Sequence, residues 1–200
     1  MLDNFNRANE GPPPSANWST DIENVGALGL KVVSNACTDN AGSFSDGWWN
    51  ASQFGPDSEV YATLATVAYT RLNMRIQSPG TSGCDGYYLD YNPGSSFVKL
   101  FRIDNAVETQ LGATEVFTVS NGESLGAEAI GSTLTAYRKS GSWASLFFRT
   151  DSTYGGSGYL GLTGQNSVVY DDFGGGTVVA AVTTLASDTP MPIMGRGATW

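Results

Sequence analysis

The chain contains no histidine. That absence removes the commonest general base, the commonest transition-metal ligand and the usual side-chain pH switch, and it excludes Ser-His-Asp and Cys-His catalysis. Cysteine is nearly absent as well. Cys37 and Cys84 are the two present, too few for a disulfide framework and open to either one bond or two buried free thiols. Positive charge is scarce, with 10 Lys and Arg against 19 Asp and Glu and a net charge of −9. This argues against nucleic acid as a partner, because neutralising phosphates requires a basic surface, and equally against anionic lipid. No apolar run reaches membrane-spanning length. The longest, Thr177 to Leu185, is too short. No leader is expected, since Met1-Leu2-Asp3 runs straight into strand-like sequence.

What is present is glycine, at 25 of 200 residues, with 40% hydrophobic and 14% charged residues. Such a composition suits one large domain of many short strands joined by tight turns. Helical periodicity is hard to find, whereas period-2 alternation punctuated by Gly, Asn, Asp and Pro recurs. In "SEVYATLAT" (58–66), Val60, Ala62 and Leu64 should face one way and Tyr61 and Thr63 the other. In "LNMRIQS" (72–78), Leu72, Met74 and Ile76 should oppose Asn73 and Arg75. "GYYLDYN" (86–92) and "SFVKLFRID" (96–104) flank an "NPG" turn and read as a hairpin. Further strands are expected over 124–131, 132–139, 141–151, 158–164 and 167–175, with a last one over 177–185. Strands at this spacing indicate an all-β antiparallel sandwich of jelly-roll type. From Ala186 the prolines and Gly-Arg-Gly step cannot sustain a strand, so 177–200 is expected to be a last strand plus a C-terminal extension. Met191, Ile193, Arg196 and Trp200 mark that extension as a candidate docking arm, since Trp and Arg are favoured interface anchors. A disordered tail is the alternative.

In order, "DNFNRAN" (3–9), "NWS" (17–19), "FGPDSEVYATL" (54–64), "GCDGYYLDYNPG" (83–94), "KLFRID" (99–104), "GESLGAEAIGSTLTAYRKSG" (122–141), "DSTYGGSGYLGL" (151–162) and "YDDFGGG" (170–176) carry a resemblance. The chain resembles the concanavalin/laminin-G-like jelly-roll domains of phage structural proteins and secreted polysaccharide-active proteins, over about residues 3–176. The resemblance implies that the first and last strands pair in one sheet. Phe5 and Phe173 would then face the core, Asp3, Asp171 and Asp172 would lie near the joined ends, and Pro12 to Pro14 would lock the loop leading to Trp18. It also implies that such joined ends can hold a structural calcium. Asp3, Asp171 and Asp172 are the candidate ligands, although the ligand count falls short and Arg7 could neutralise the acids instead.

Glycan binding on a sandwich stacks aromatic faces on sugar rings and fixes hydroxyls with polar side chains. Two stretches offer this, Trp48-Trp49-Asn50 and Tyr87, Tyr88, Asp90 and Tyr91, against the alternative that many of these rings simply pack the core. No Glu-x-Asp-x-Glu spacing appears. Glu59, Glu123 and Glu128 stand on different strands, and Glu108 and Glu115 are separated around a turn, so they read as solvated carboxylates. The expected function is a non-catalytic virion-surface protein, a phage capsid decoration or tail component. It would contact other virion subunits or itself as a homo-oligomer, with a cell-surface glycan as a further partner. The alternatives are a carbohydrate-binding module of a secreted polysaccharide-degrading system and a divergent glycoside hydrolase, whose acid pair the fold would have to bring together.

Overall fold

A computed structural model describes residues 1–179. The strands are β1 (Trp18–Ser19), β2 (Leu28–Gly29), β3 (Lys31–Val33), β4 (Ala36–Thr38), β5 (Ser45–Trp49), β6 (Ser58–Thr66), β7 (Tyr69–Gln77), β8 (Asp85–Asn92), β9 (Phe97–Asp104), β10 (Val107–Gln110), β11 (Glu115–Val116), β12 (Ser124–Ile130), β13 (Thr133–Ser140), β14 (Ser142–Thr150), β15 (Tyr159–Gln165) and β16 (Val169–Thr177). Among the described residues there is no helix. The larger sheet, of nine strands, runs β1-β5-β15-β7-β8-β9-β10, with β2 and β11 added on β5 and β9. The smaller, of seven, runs β14-β13-β12-β6-β16-β4-β3. Pairing is antiparallel apart from the short β2–β5 contact. The result is the two-sheet jelly-roll sandwich that the strand spacing implies.

Alternation builds the core from both inner faces. Val60, Ala62 and Leu64 of β6 face Leu72, Leu89, Leu100 and Leu162 of the larger sheet in one continuous cluster. The β7 pattern departs from its expectation. The β7–β8 register shifts between Met74 and Gln77, and Arg75 sits at φ 51°. The bulge reverses the parity, so Leu72 and Met74 join the inter-sheet core while Ile76 joins a second cluster with Ile22, Cys84, Tyr88 and Ile103 on the outer face. Arg75, fully buried, donates to the carbonyls of Pro56, Ala129, Gly131 and Tyr154. Gly158 faces the Arg75 backbone so closely that a Cβ there would clash with it.

The ends of the domain close as the resemblance implies, although "DNFNR" makes a single bridge, Asp3 to Phe173, rather than a strand. Leu2 and Asp3 N–H both donate to the Phe173 carbonyl. Phe5, Trp18 and Phe173 are all buried, with the Trp18 ring 4.8 Å from Phe173 and 5.9 Å from Phe5. Cys37 and Cys84 are free, each buried in a different cluster, which decides between the two readings of the cysteines. Of the expected last strand, Val178 and Val179 carry no strand, and the rest of 177–185 from residue 180 lies outside the described residues. So do Met191, Ile193, Arg196 and Trp200.

Candidate functional site

Most of the side chains that looked like glycan contacts are structural. Tyr87 and Tyr91 are buried in the inter-sheet core, and Tyr88 is buried on the outer face of the larger sheet between Phe101 and the Arg71 guanidinium. β8 is a central strand covered on both faces, so adjacent aromatics on it have no solvent side to present. Asp90 is nearly buried and accepts from Tyr69 Oη at 2.7 Å. Trp48 and Trp49 point to opposite faces of β5. Trp49 packs edge-on against Trp18, and Trp48 lies against the outer cluster. Asn50 Nδ2 donates to Ala16 O and Ser19 Oγ, fixing the preceding loop.

The acidic trio is not assembled either. Both Asp3 oxygens are taken, by Arg7 Nη1 and Nη2 at 2.6 and 2.9 Å, by Trp18 Nε1 and by the Phe5 N–H. Burial works to raise the Asp3 pKa, but the hydrogen bonds from Arg7, Phe5 and Trp18 prevail and hold it below the ordinary value. Asp171 and Asp172 instead line a separate shallow cleft with Asn4, Asn6 and Asn35. Among the described residues no group of three or more His, Cys, Asp or Glu is placed to hold a metal ion. Arg7 is therefore the partner of Asp3 where calcium was expected.

A different surface gathers ligand-type groups. On the outer face of the smaller sheet, a groove of ≈ 570 Å³ runs over β6, β12, β13 and β14, a volume within the range of small-molecule sites. Register builds it row by row. Tyr61, Gly126 and Tyr137 are successive cross-strand partners. At Gly126 a Cβ would come within 3.1 Å of the Trp143 ring, which lies over it from β14. Trp143, 44% exposed, meets Tyr61 edge-to-face at 5.8 Å. One row below, Glu59 stands directly opposite Glu128. One row above, Thr63 Oγ1 and Ser124 Oγ lie 3.0 Å apart. Tyr137 Oη donates to Glu128 Oε2 at 2.9 Å. Lys139 and Asp172 complete the rim.

Burial chiefly, then the negative charge of Glu59 and Asp172, raises the Tyr61 pKa. Burial and then Glu128 do the same for Tyr137. Both phenols therefore stay protonated as hydrogen-bond donors at neutral pH. The arrangement offers aromatic surface beside carboxylates and hydroxyls along one groove. Glu59 and Glu128 were weighed singly in the sequence. What was missing is the register that sets them face to face, which no spacing along one strand can reveal.

No family model and no curated protein sequence matches the chain. Solved structures do match in fold. The carbohydrate-binding module CBM66 from Bacillus subtilis superposes with a TM-score of 0.61 at 16% identity, covering 80% of this chain and 95% of that one. A legume lectin-like domain from Entamoeba histolytica gives 0.57 at 11% identity over 82% and 91%. A prokaryotic β-1,3-1,4-glucanase (lichenase) derived from a mouse hindgut metagenome gives 0.56 at 10% identity over 86% and 95%. The chain has the concanavalin-like jelly-roll fold that these lectin, carbohydrate-binding and glucanase domains share.

Proposed function

We propose that this chain is a carbohydrate-binding domain that takes a glycan, without cleaving it, in the groove on the smaller sheet. The observation that carries this reading is the grouping of Tyr61, Tyr137 and Trp143 with Glu59, Glu128, Thr63 and Ser124 in one open groove. Aromatic faces bind the C–H faces of sugar rings, while carboxylates and hydroxyls accept from and donate to sugar hydroxyls. A carbohydrate-binding module and a lectin-like domain of the same fold lend support. A glycan array followed by titration calorimetry tests the reading. Trp143→Ala should cost at least about tenfold in affinity, the scale of one well-packed ring. A folded protein that binds no glycan, or one whose binding ignores both Trp143→Ala and Tyr137→Ala, would overturn it.

One observation favours a second reading, hydrolysis. Glu59 and Glu128 are directly opposed across β6 and β12, and glycosidases act with a pair of carboxyl groups flanking the scissile bond. Product release from a polysaccharide, lost in Glu59→Gln and in Glu128→Gln, would establish it. Nothing in the comparisons supports the virion setting or the homo-oligomer expected from the sequence, and the docking segment 186–200 lies outside the described residues; the glycan-binding proposal does not depend on them.

A further inference from the structure

The groove gathers carboxylates that no arginine neutralises. Every described arginine has a carboxylate partner: Arg7 with Asp3 and Glu10, Arg71 with Glu23, Asp90 and Glu108, Arg75 with Asp57, Arg102 with Asp104 and Asp151, Arg138 with Glu123, and Arg149 with Glu115. Among the described residues, Glu59, Glu128 and Asp172 line the groove and form no ion pair; the other carboxylates without an arginine or lysine partner, Asp21, Asp39, Asp46, Asp85 and Asp171, each accept a backbone N–H. Glu59 and Glu128 are moreover directly opposed across β6 and β12, a placement in which like charges repel. Their flanking row partners, Gly176 on β16 and Thr135 on β13, are neutral. Of the groove's basic groups, Lys139 is turned to the Trp143 ring, with Nζ 6.0 Å from its centroid, and the amino terminus at Met1, which also lines the groove, forms no ion pair among the described residues.

We infer that the groove selects glycans carrying a free amine, such as oligomers of glucosamine, and rejects uronate and sulfated ones. The inference rests on the glycan-binding reading and names the ligand class of that site. A sugar ammonium set between Glu59 and Glu128 supplies the cation that the fold leaves out, and its hydrogens are charge-assisted donors to the carboxylates. Tyr61 and Trp143 receive the ring's C–H face beside it. An N-acetylated sugar has the same ring but no charge. A uronate adds a fourth carboxylate to a site already rich in them.

Calorimetric titration with length-matched oligomers of glucosamine, N-acetylglucosamine and galacturonate, at mildly acidic pH and at low and high salt, tests the inference. The expected order is glucosamine first and galacturonate last, with the glucosamine advantage about tenfold, the scale of a hydrogen bond to a charged group, and shrinking as salt is added. Glu59→Gln combined with Glu128→Gln should erase that advantage while leaving binding of the N-acetyl form, and Trp143→Ala should weaken all binding. Equal affinity for the amine and N-acetyl forms, or an advantage that survives the double substitution, overturns the inference and leaves the glycan reading intact. A folded protein that binds none of the three oligomers, nor any glycan on an array, overturns both.

Discussion

The two outer faces of this sandwich follow the same alternation yet end in opposite states. On the larger sheet the outward row Asp46, Thr163, Arg71 and Asp90 is sealed. Asp46, Asn73 and Tyr88 are all but inaccessible. The β1–β2 loop lies over them: Asp46 accepts the N–H groups of Asp21 and Ile22, Ile22 plugs the outer cluster, and Glu23 reaches Arg71. On the smaller sheet the outward row Glu59 and Glu128 meets solvent beside exposed aromatics. Alternation alone does not tell a functional face from a structural one. What separates the two faces is the covering loop, which turns one polar face into an ion network, while the other stays open to solvent.

The largest effect is expected from breaking the sealed face. Arg71 reaches Glu108 at 2.6 Å and Glu23 at 3.3 Å, and its guanidinium lies 4.2 Å from the Tyr88 ring centroid. Arg71→Met would strand Glu23 and Asp90, both nearly buried, without their cation. Removing one partner of a buried charge cluster costs about 3–5 kcal/mol, which for a domain of this size lowers the melting temperature by roughly 10 °C or more. Trp143→Ala, on the open face, should cost under about 1 kcal/mol because so much of the ring is already solvated. Thermal unfolding of both variants breaks the contrast if the two losses are similar.

A pH effect should come next. Burial, offset only partly by the N–H groups of Ile22 and Asp21, pushes Asp46 from 3.8 up to about 7. Between those values the folded state binds a proton that the unfolded state has released, so stability falls as pH rises through the window. Glu23 and Asp90, also raised chiefly by burial, act with the same sign. Asp3 is lowered and Asp151 is held at about 2 by hydrogen bonds that outweigh burial; both act in the opposite sense at more acidic pH. Chemical denaturation should show the protein more stable at pH 5 than at pH 8, by about 3 kcal/mol. Asp46→Asn should flatten most of that slope. A wild type equally stable at both values would mean that the β1–β2 loop does not seal this face in solution.

Much of the architecture was legible in the sequence because it is local. The alternation of 58–66 coincides with β6, the turn around Pro93 and Gly94 separates β8 from β9, and Phe5 and Phe173 meet Trp18 where the chain ends join. The site was not legible, for two physical reasons. Tyr87, Tyr88 and Tyr91 look like a ligand platform on an isolated strand, but β8 is covered on both faces. Glu59 and Glu128 look like chance solvated acids until long-range register pairs them. The bulge at Arg75 is a third case: one extra residue exchanged the faces of Arg75 and Ile76, against the strict period of two. The nearby glycines Gly86 and Gly158 were the available signal.

The smallest expected effect probes the open face by its stability rather than its binding. If Glu59 and Glu128 repel across β6 and β12 with no cation to relieve them, neutralising one should stabilise the free protein. Glu59→Gln keeps the shape and removes the charge, and opposed like charges on neighbouring strands are worth about 0.2–1 kcal/mol. The gain should shrink in high salt, where exposed charges are screened, and should vanish once Glu128→Gln is already in place. A double-mutant cycle by denaturant unfolding measures that coupling directly.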